Sequence, residues 1–429
     1  MSPSRGTLRL FLFAFLGWTF DFYDLVLLGF IREDVSRDLH ISAAAEPWLL
    51  GVALCTSGFG GIVAGALADR IGKRTMLSVT ILTYSIGSLV CGLAPSLLVF
   101  IVGRGIVGLG VGGEWAIGHG MIAEAVAPRM RGRASAALQA GEPVGVALAA
   151  VAGYVLLPIV HWRWILIGSA ATALLALFAR SSMRGQVLTT PTPPVGPAVG
   201  DHAALASTER RPTWIELHRA GVTKRMFLAW ILGVLKLGTY WSCYIWLPGF
   251  LHKEMGQDLA HSLAWIVTAQ VGQLAGMLSF GFIADRIGRR PAFCIYSLVT
   301  ACALAPLAFA WQTLAVHPAA FWSVMLTLGF GSGCTAGFGA LLAELFPTEV
   351  RSMAMGTTYN LARAAQVLAP VLVSAMVAAH GLAGGLCVPL VLAIATASWV
   401  WILPETRGIA LPTLAASQSS SAPRPASSK

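Results

Sequence analysis

The chain has 429 residues, of which 56% are hydrophobic and only 11% charged, against roughly 25% charged in an average soluble domain. So little polar surface cannot cover so much apolar surface, which excludes an ordinary water-soluble globule and requires lipid as solvent. The formal net charge of +10 would suit a nucleic-acid binder, but the placement of the basic residues, given below, argues against that class as well.

The chain opens with Arg5 and Arg9 before the apolar run Leu10 to Leu16, a pattern shared with signal peptides. The apolar character continues through Trp18, Asp21 and Asp24 to Ile31 with no small-residue cleavage site after it, so a retained first span is expected. Helical spans of about 20 residues fit at 8–31, 47–68, 75–94, 98–123, 134–157 and 162–181. After a long polar stretch they resume at 226–250, 260–284, 291–313, 319–343, 354–379 and 383–403. The apolar stretches are continuous and far longer than barrel strands, so the predicted fold is an all-α membrane protein of twelve transmembrane helices. The organisation is a six-helix N-terminal half (1–183), a cytoplasmic linker (184–225), a six-helix C-terminal half (226–403) and a disordered cytoplasmic tail (404–429). The linker is rich in Pro, Thr and basic residues and includes Pro191-Thr-Pro-Pro194, with a short amphipathic helix expected near Trp214 to His218. The tail is rich in Ala, Ser and Pro.

The two halves repeat each other. Gly65-Ala-Leu-Ala-Asp-Arg-Ile-Gly-Lys-Arg74 returns 216 residues later as Gly281-Phe-Ile-Ala-Asp-Arg-Ile-Gly-Arg-Arg290, each a basic hinge between two apolar runs. Gly108-Leu-Gly-Val-Gly112 in the fourth span answers Gly329-Phe-Gly-Ser-Gly333 in the tenth, and Glu124 through Arg131 answers Glu344 through Arg351. Parallel repeats of this kind build transporters that hold substrate between the halves near the bilayer midplane. Sorted by this topology, 22 of the 29 Lys and Arg are cytoplasmic, 4 external and 3 inside spans. That asymmetry puts both termini in the cytoplasm. The seven cysteines lie in or beside apolar segments without CxxC spacing and read as small hydrophobes, and no metal site or cofactor is expected.

On these stretches the chain resembles the major facilitator superfamily. The G-x-x-x-D-R-x-G-[KR]-[RK] loop after the second span is that group's most specific signature, and here it occurs twice. Arg104-Gly-Ile-Val-Gly108-Leu-Gly110-Val-Gly-Gly-Glu114-Trp, Ala343-Glu-Leu-Phe-Pro-Thr-Glu-Val-Arg351 and Pro404-Glu-Thr-Arg-Gly408 are similar to metabolite:proton symporters. The nearest branches are the sialate and monocarboxylate:proton symporters, then the aromatic-acid:proton symporters. The resemblance implies a pseudo-symmetric carrier that works by alternating access, sits as a multi-pass protein in a plasma membrane (the inner membrane in a bacterium), and is not an enzyme. Its expected partners are a small organic anion, protons and the lipid bilayer, with no nucleic acid, and it is expected to be a monomer.

Ionisable groups inside spans cost roughly 2.5–3.5 kcal/mol on insertion scales, so they are the default functional candidates. They are Asp21 and Asp24 in span 1, Arg104, Glu114 and His119 in span 4, Glu142 in span 5, Lys236 in span 7 and Arg363 in span 11. At 1.5 Å per residue, Lys236 and Arg363 lie roughly 15 Å deep, near the midplane. Asp21 and Asp24 share a helix face, and two carboxylates so close repel when both ionise, which favours one holding a proton. Proton coupling is one role open to the pair, and pairing with Arg104 is the other. Glu142 and Glu114 are the next proton-coupling candidates, and the resemblance links Arg104 to coupling or to structure. Arg363 suits bidentate capture of a carboxylate or an ion pair with Glu142, and the repeat register places the two facing each other. Lys236, Tyr240, Tyr244, Asn360 and Gln270 complete the expected substrate lining, with Gln273 and Gln366 as further polar candidates.

Two patterns point elsewhere than their motifs suggest. Gly108 to Gly113 fits GxGxxG, yet it lies inside an apolar span with no preceding strand, so close helix packing is expected instead of nucleotide binding. Gly141-Glu-Pro-Val-Gly145 departs from the glycine-proline motif of drug/proton antiporters because Glu142 intervenes, which favours symport. In the paired loops, Asp69, Arg70, Arg74, Asp285, Arg286 and Arg290 are expected to latch a cytoplasmic gate, the carboxylates sitting near helix N-termini. The resulting reading is proton-coupled symport of a small organic acid; the alternative is a proton-coupled porter of a neutral or zwitterionic metabolite such as a sugar.

Overall fold

The computed structural model describes residues 5–41, 46–171, 218, 221–255 and 259–412. In chain order the helices are α1 (Arg5–Asp38), α2 (Glu46–Ile71), α3 (Lys73–Gly92), α4 (Leu97–Ala125), α5 (Arg131–Gln139), α6 (Gly141–Val151) and α7 (Trp162–Ser169). The second half supplies α8 (Val222–Met255), α9 (Leu259–Ile287), α10 (Arg289–Phe309), α11 (Trp311–Val316), α12 (Pro318–Ser332), α13 (Gly337–Leu345), α14 (Arg351–Ala364) and α15 (Ala369–Trp399). Among the described residues there is no strand.

Ten of these stretches are long and apolar enough to cross a membrane. They match the expected spans 1–5, 7–10 and 12. Only the start of the sixth expected span, through residue 171, lies within the described residues, and most of the linker and the tail beyond Pro412 lie outside them. The polar residues of the eleventh span are spent inside the protein: Ser352, Thr358, Asn360, Arg363 and Gln366 are all buried. Spans 11 and 12 are divided at Gly381, whose φ of 71° only glycine adopts readily.

The bundle is inverted relative to a soluble protein. Phe59, Ile86, Leu98, Val102, Phe227, Val271 and Phe309 are exposed around its flanks, whereas Arg104, Glu114, Lys236, Arg289, Arg351 and Arg363 are each 1% exposed or less. Apolar side chains facing outward and charge facing inward are the arrangement lipid requires.

The fourth and tenth spans pack by the same device. A Cβ on Gly108 or Gly112 of α4 would come within 2.3 Å of Ala53 O or 2.1 Å of Ser57 O on α2, and one on Gly110 within 2.6 Å of Tyr84 N on α3. On the other side, a Cβ on Gly329 would come within 1.9 Å of Ala269 O on α9, and one on Gly331 within 2.6 Å of Thr300 N on α10. Each glycine seam lets its span wedge backbone-to-backbone between two neighbours. Gly112→Ala or Gly329→Ala is therefore expected to lower stability by about 1–3 kcal/mol, seen as a lower thermal midpoint in detergent. Gly105→Ala, where the nearest atoms stand at 3.8 Å, is the control expected to leave it unchanged.

Contacts between the halves repeat in the same way. α14 lies along α2, and α9 lies along α5. Trp115 of α4 stacks on Tyr359 of α14 with ring centroids 3.8 Å apart, joining the halves near their centre.

Candidate functional site

A small cavity lies between the halves, lined among the described residues by Phe22 of α1, Glu142 of α6, Leu237, Tyr240 and Trp241 of α8, Thr335, and Tyr359 and Arg363 of α14. Its volume of about 10 Å³ has room for roughly one water. Trp241 also packs against the apolar cluster of Leu25, Ala53 and Leu54 in the opposite half.

Arg363 is the cation of this cavity. Its Cζ stands 5.4 Å from the Phe22 ring and 6.0 Å from the Trp18 ring, and its two terminal nitrogens have no hydrogen-bond partner among the described residues. Aromatic faces hold the guanidinium plane and leave its donor fork unspent. Glu142 shares the cavity but is occupied differently. Gln139 Nε2 donates to one oxygen at 2.7 Å and Gln273 Nε2 to the other at 2.9 Å, so amides from both halves grip one carboxylate. The Tyr240 hydroxyl also hydrogen-bonds it. The two residues that the repeat register placed face to face do line one cavity.

The other buried charges separate into two groups. Asp24 is paired: Ser88 Oγ donates to Oδ1 at 2.7 Å, and Arg104 Nη1 lies 3.6 Å from Oδ2. Asp21, one helical turn earlier, has neither oxygen hydrogen-bonded among the described residues, and the same holds for both oxygens of Glu114. Asp21 is within electrostatic range of Arg363, Asp24 and Glu114. Glu114 reaches the α1 backbone at Gly17, where a Cβ would come within 1.9 Å of Oε1. Burying a carboxyl group without a donor is costly, which sets Asp21 and Glu114 apart from the paired Asp24.

Of the other expected lining residues, Lys236 is buried, with no hydrogen-bond partner for Nζ among the described residues, but it does not line the cavity. Gln270 is also buried outside the lining. Asn360 faces the other half: its amide donates to Gly112 O at 2.7 Å and Gly356 O at 3.0 Å, which ties α14 to α4. The side chain of Tyr244 lies outside the described residues. The sequence reading did not place Phe22, Leu237, Trp241, Thr335 or Tyr359 in the lining, because they read as ordinary span residues until the helices are assembled.

At the basic end, each decapeptide aspartate caps a helix of the opposite half. Asp69, at the end of α2, accepts from Met353 N at the start of α14 (2.9 Å). Asp285, at the end of α9, accepts from Gly132 N and Arg133 N at the start of α5 (3.1 Å each). Free N–H groups at a helix start favour a carboxylate there. Around these caps run ion pairs: Lys73 and Arg351 on Glu124, at 2.5 and 2.6 Å, and Arg289 on Asp285 and Glu344, at 2.6 and 3.0 Å. Arg290 donates to Trp401 O and lies over that ring. Glu405 accepts from Arg289 N and Arg290 N, and Arg131 donates to Ile409 O, so the chain after span 12 packs on this face as far as Pro412. Arg70 and Arg286 are exposed, and Arg74 is partly buried.

Sequence reasoning had not placed Lys73, Glu124, Arg289, Glu344 or Arg351 in the latch, although the repeat of Glu124–Arg131 as Glu344–Arg351 was the signal for them. Asp69→Asn is expected to weaken the closed basic end by about 1–3 kcal/mol. A cysteine at Ala136, buried between α5 and α9, should then react faster with a maleimide. An unchanged rate would leave Asp69 as a topology signal only.

Two repeated helical halves, inverted for lipid and joined around a charged central cavity, define a membrane carrier. The family model for the Major Facilitator Superfamily matches residues 10–337 and, separately, 255–426. A Haemophilus influenzae protein named for metabolite transport is 31% identical over 404 residues, covering 92% of this chain and 96% of the relative. The sialic acid transporter NanX of Escherichia coli is 27% identical over 371 residues, 86% of this chain and 87% of its own. The solved structure of the proton:xylose symporter XylE superposes with a TM-score of 0.76 at 20% identity, covering 97% of this chain and 99% of that one. The chain belongs to the major facilitator superfamily. It is an integral membrane transporter, not an enzyme.

Proposed function

We propose that the chain is a proton-coupled symporter of a small organic acid, with Arg363 binding the substrate carboxylate and Asp21 and Glu114 carrying the coupled proton. The observation that carries this reading is the guanidinium of Arg363, which lines a central cavity with its terminal nitrogens unpaired among the described residues. A neutral sugar would leave that charge uncompensated, whereas a carboxylate satisfies it through two parallel hydrogen bonds. The E. coli relative's substrate, sialic acid, is itself a carboxylic acid. Tyr240 and Tyr359 supply ring faces for the body of the substrate, and Lys236, Gln270 and Tyr244 are secondary binding positions. Glu142, held by amides from both halves, lines the same cavity without pairing with Arg363, and the Asp24–Arg104 pair holds α1 on α4 beside the proton site.

The excess of basic residues at the decapeptide end makes it the cytoplasmic face of a plasma membrane, with both termini on that side. Asp69 and Asp285, with Arg70, Arg74, Arg286 and Arg290 around them, then form the cytoplasmic gate. The two halves (1–183 and 226–403) move about the cavity, joined by the linker, and the carrier works as a monomer. Uptake into proteoliposomes, competed by a panel of small carboxylates and of neutral sugars, tests the substrate class. Competition by carboxylates alone is expected; competition by sugars alone would favour the neutral-metabolite alternative.

A further inference from the structure

The tenth span is not a continuous α-helix. It passes from α12 through a 3-10 turn at Gly333–Ala336 into α13. Thr335 of that turn lines the cavity. On its other side, Ser135 of α5, from the opposite half, donates to Ala336 O at 2.8 Å and accepts from Ala340 N at 3.1 Å. Those two groups are the partners of one i to i−4 step of the helical ladder, and a side chain inserted there is a recognised cause of a bend. Gly339 provides the room: a Cβ on it would come within 2.5 Å of Ser135 Oγ and 2.0 Å of His119 Nδ1.

Ser135 is also one end of a buried polar chain. Its Oγ lies 3.3 Å from His119 Nδ1, and His119 Nε2 lies 3.0 Å from Gln139 Oε1, which also accepts from Trp115 Nε1 at 2.9 Å. Gln139 Nε2 donates to Glu142 in the cavity. Gln139 presents its nitrogen to the carboxylate and therefore its oxygen to both rings, which puts a proton on His119 Nε2. The single Ser135 hydroxyl proton then has two acceptors in reach, Ala336 O at 2.8 Å and His119 Nδ1 at 3.3 Å.

We propose that Ser135, His119 and Gln139 are positioning residues that tie the hydrogen bonding of Glu142 in the cavity to the bend of span 10. The proposal rests on the reading of that cavity as the substrate site. When a substrate carboxylate enters the cavity beside Glu142, it competes for the Gln139 amide; as that amide shifts, His119 follows and draws the Ser135 hydroxyl away from Ala336 O, which releases the turn. The bend of span 10 is then the two-state element that such coupling needs, and the basic end opens as the two halves lose this contact.

The test is a double-mutant cycle that needs no substrate. Spin labels are attached to cysteines at Ile71 and Ile287, which are exposed at the basic end of each half. The native cysteines are replaced, and pulsed electron paramagnetic resonance gives the ratio of long to short distances in nanodiscs. Ser135→Ala and Glu142→Gln should each raise that ratio at least threefold, and the double variant should not exceed the larger single effect. Ser135→Ala combined with Asp69→Asn, which acts on a separate contact, should multiply. An unchanged ratio in Ser135→Ala, or independent multiplication with Glu142→Gln, would overturn the relay. If Ser135→Ala does not yield monodisperse protein, Gln139→Leu interrupts the same chain and carries the same expectations. Failure of the transport reading would appear in uptake and leave these distances as they are.

Discussion

Arg363→Ala is expected to reduce substrate binding on the order of 100-fold, with the protein still inserted and monodisperse. The side chain is 1% exposed and lies against Trp18 and Phe22, and the alanine variant removes both terminal donors from the cavity. A hydrogen bond to a charged group contributes about 1.5–3 kcal/mol, and 3 kcal/mol corresponds to a factor of roughly 150. Arg363→Lys keeps the charge but loses the planar pair of donors, so it should fall between the wild type and alanine. Calorimetric or fluorescence titration of purified protein measures this directly. Wild-type affinity in the alanine variant would remove Arg363 from the site and leave Lys236, the buried cation nearest the midplane after it, as the candidate.

The second large effect concerns coupling. Asp21→Asn combined with Glu114→Gln should abolish accumulation against a gradient while leaving substrate exchange at equal concentrations largely intact. Both residues keep their size and lose only the ability to exchange a proton. Asp24→Asn should behave differently. It breaks the contacts with Ser88 and Arg104, leaving Arg104 buried and unpaired at a cost of about 3–5 kcal/mol, so it should lower expression and thermal stability as well as transport. Parallel proton-driven uptake and counterflow assays separate the two outcomes. A double variant that still concentrates its substrate would place the coupled proton on Glu142.

Much of the fold was legible because lipid imposes simple rules. Long apolar runs, the repeated decapeptide and the glycine seams each survive as local sequence patterns, and even the boundary between spans 11 and 12 fell at Gly381. Span 11 was legible in the same way, and Arg363 within it had already marked it as functional. The midplane ionisable residues were likewise legible one by one, since depth follows from helical rise.

Their pairing was not. Asp21 and Asp24 share a face, and nothing in the sequence says that Asp24 meets Ser88 and Arg104 while Asp21 turns toward Glu114 and Arg363. That depends on the rotation and register of α1 against α3, α4 and α14. Asn360 shows the same limit: its position on span 11 suited a lining residue, but the close approach of α14 to α4 directs its amide to the Gly112 carbonyl. In the latch the aspartates were found from the repeat, whereas their helix-start partners, contributed by the opposite half, required the assembled bundle.

The most direct test of the account is the pH outside weakly buffered proteoliposomes as a small carboxylate substrate enters down its own gradient. External alkalinisation is expected to rise with substrate entry and to disappear in the Asp21→Asn, Glu114→Gln double variant, although the substrate still exchanges. Substrate entry at the wild-type rate with no accompanying pH change would contradict it.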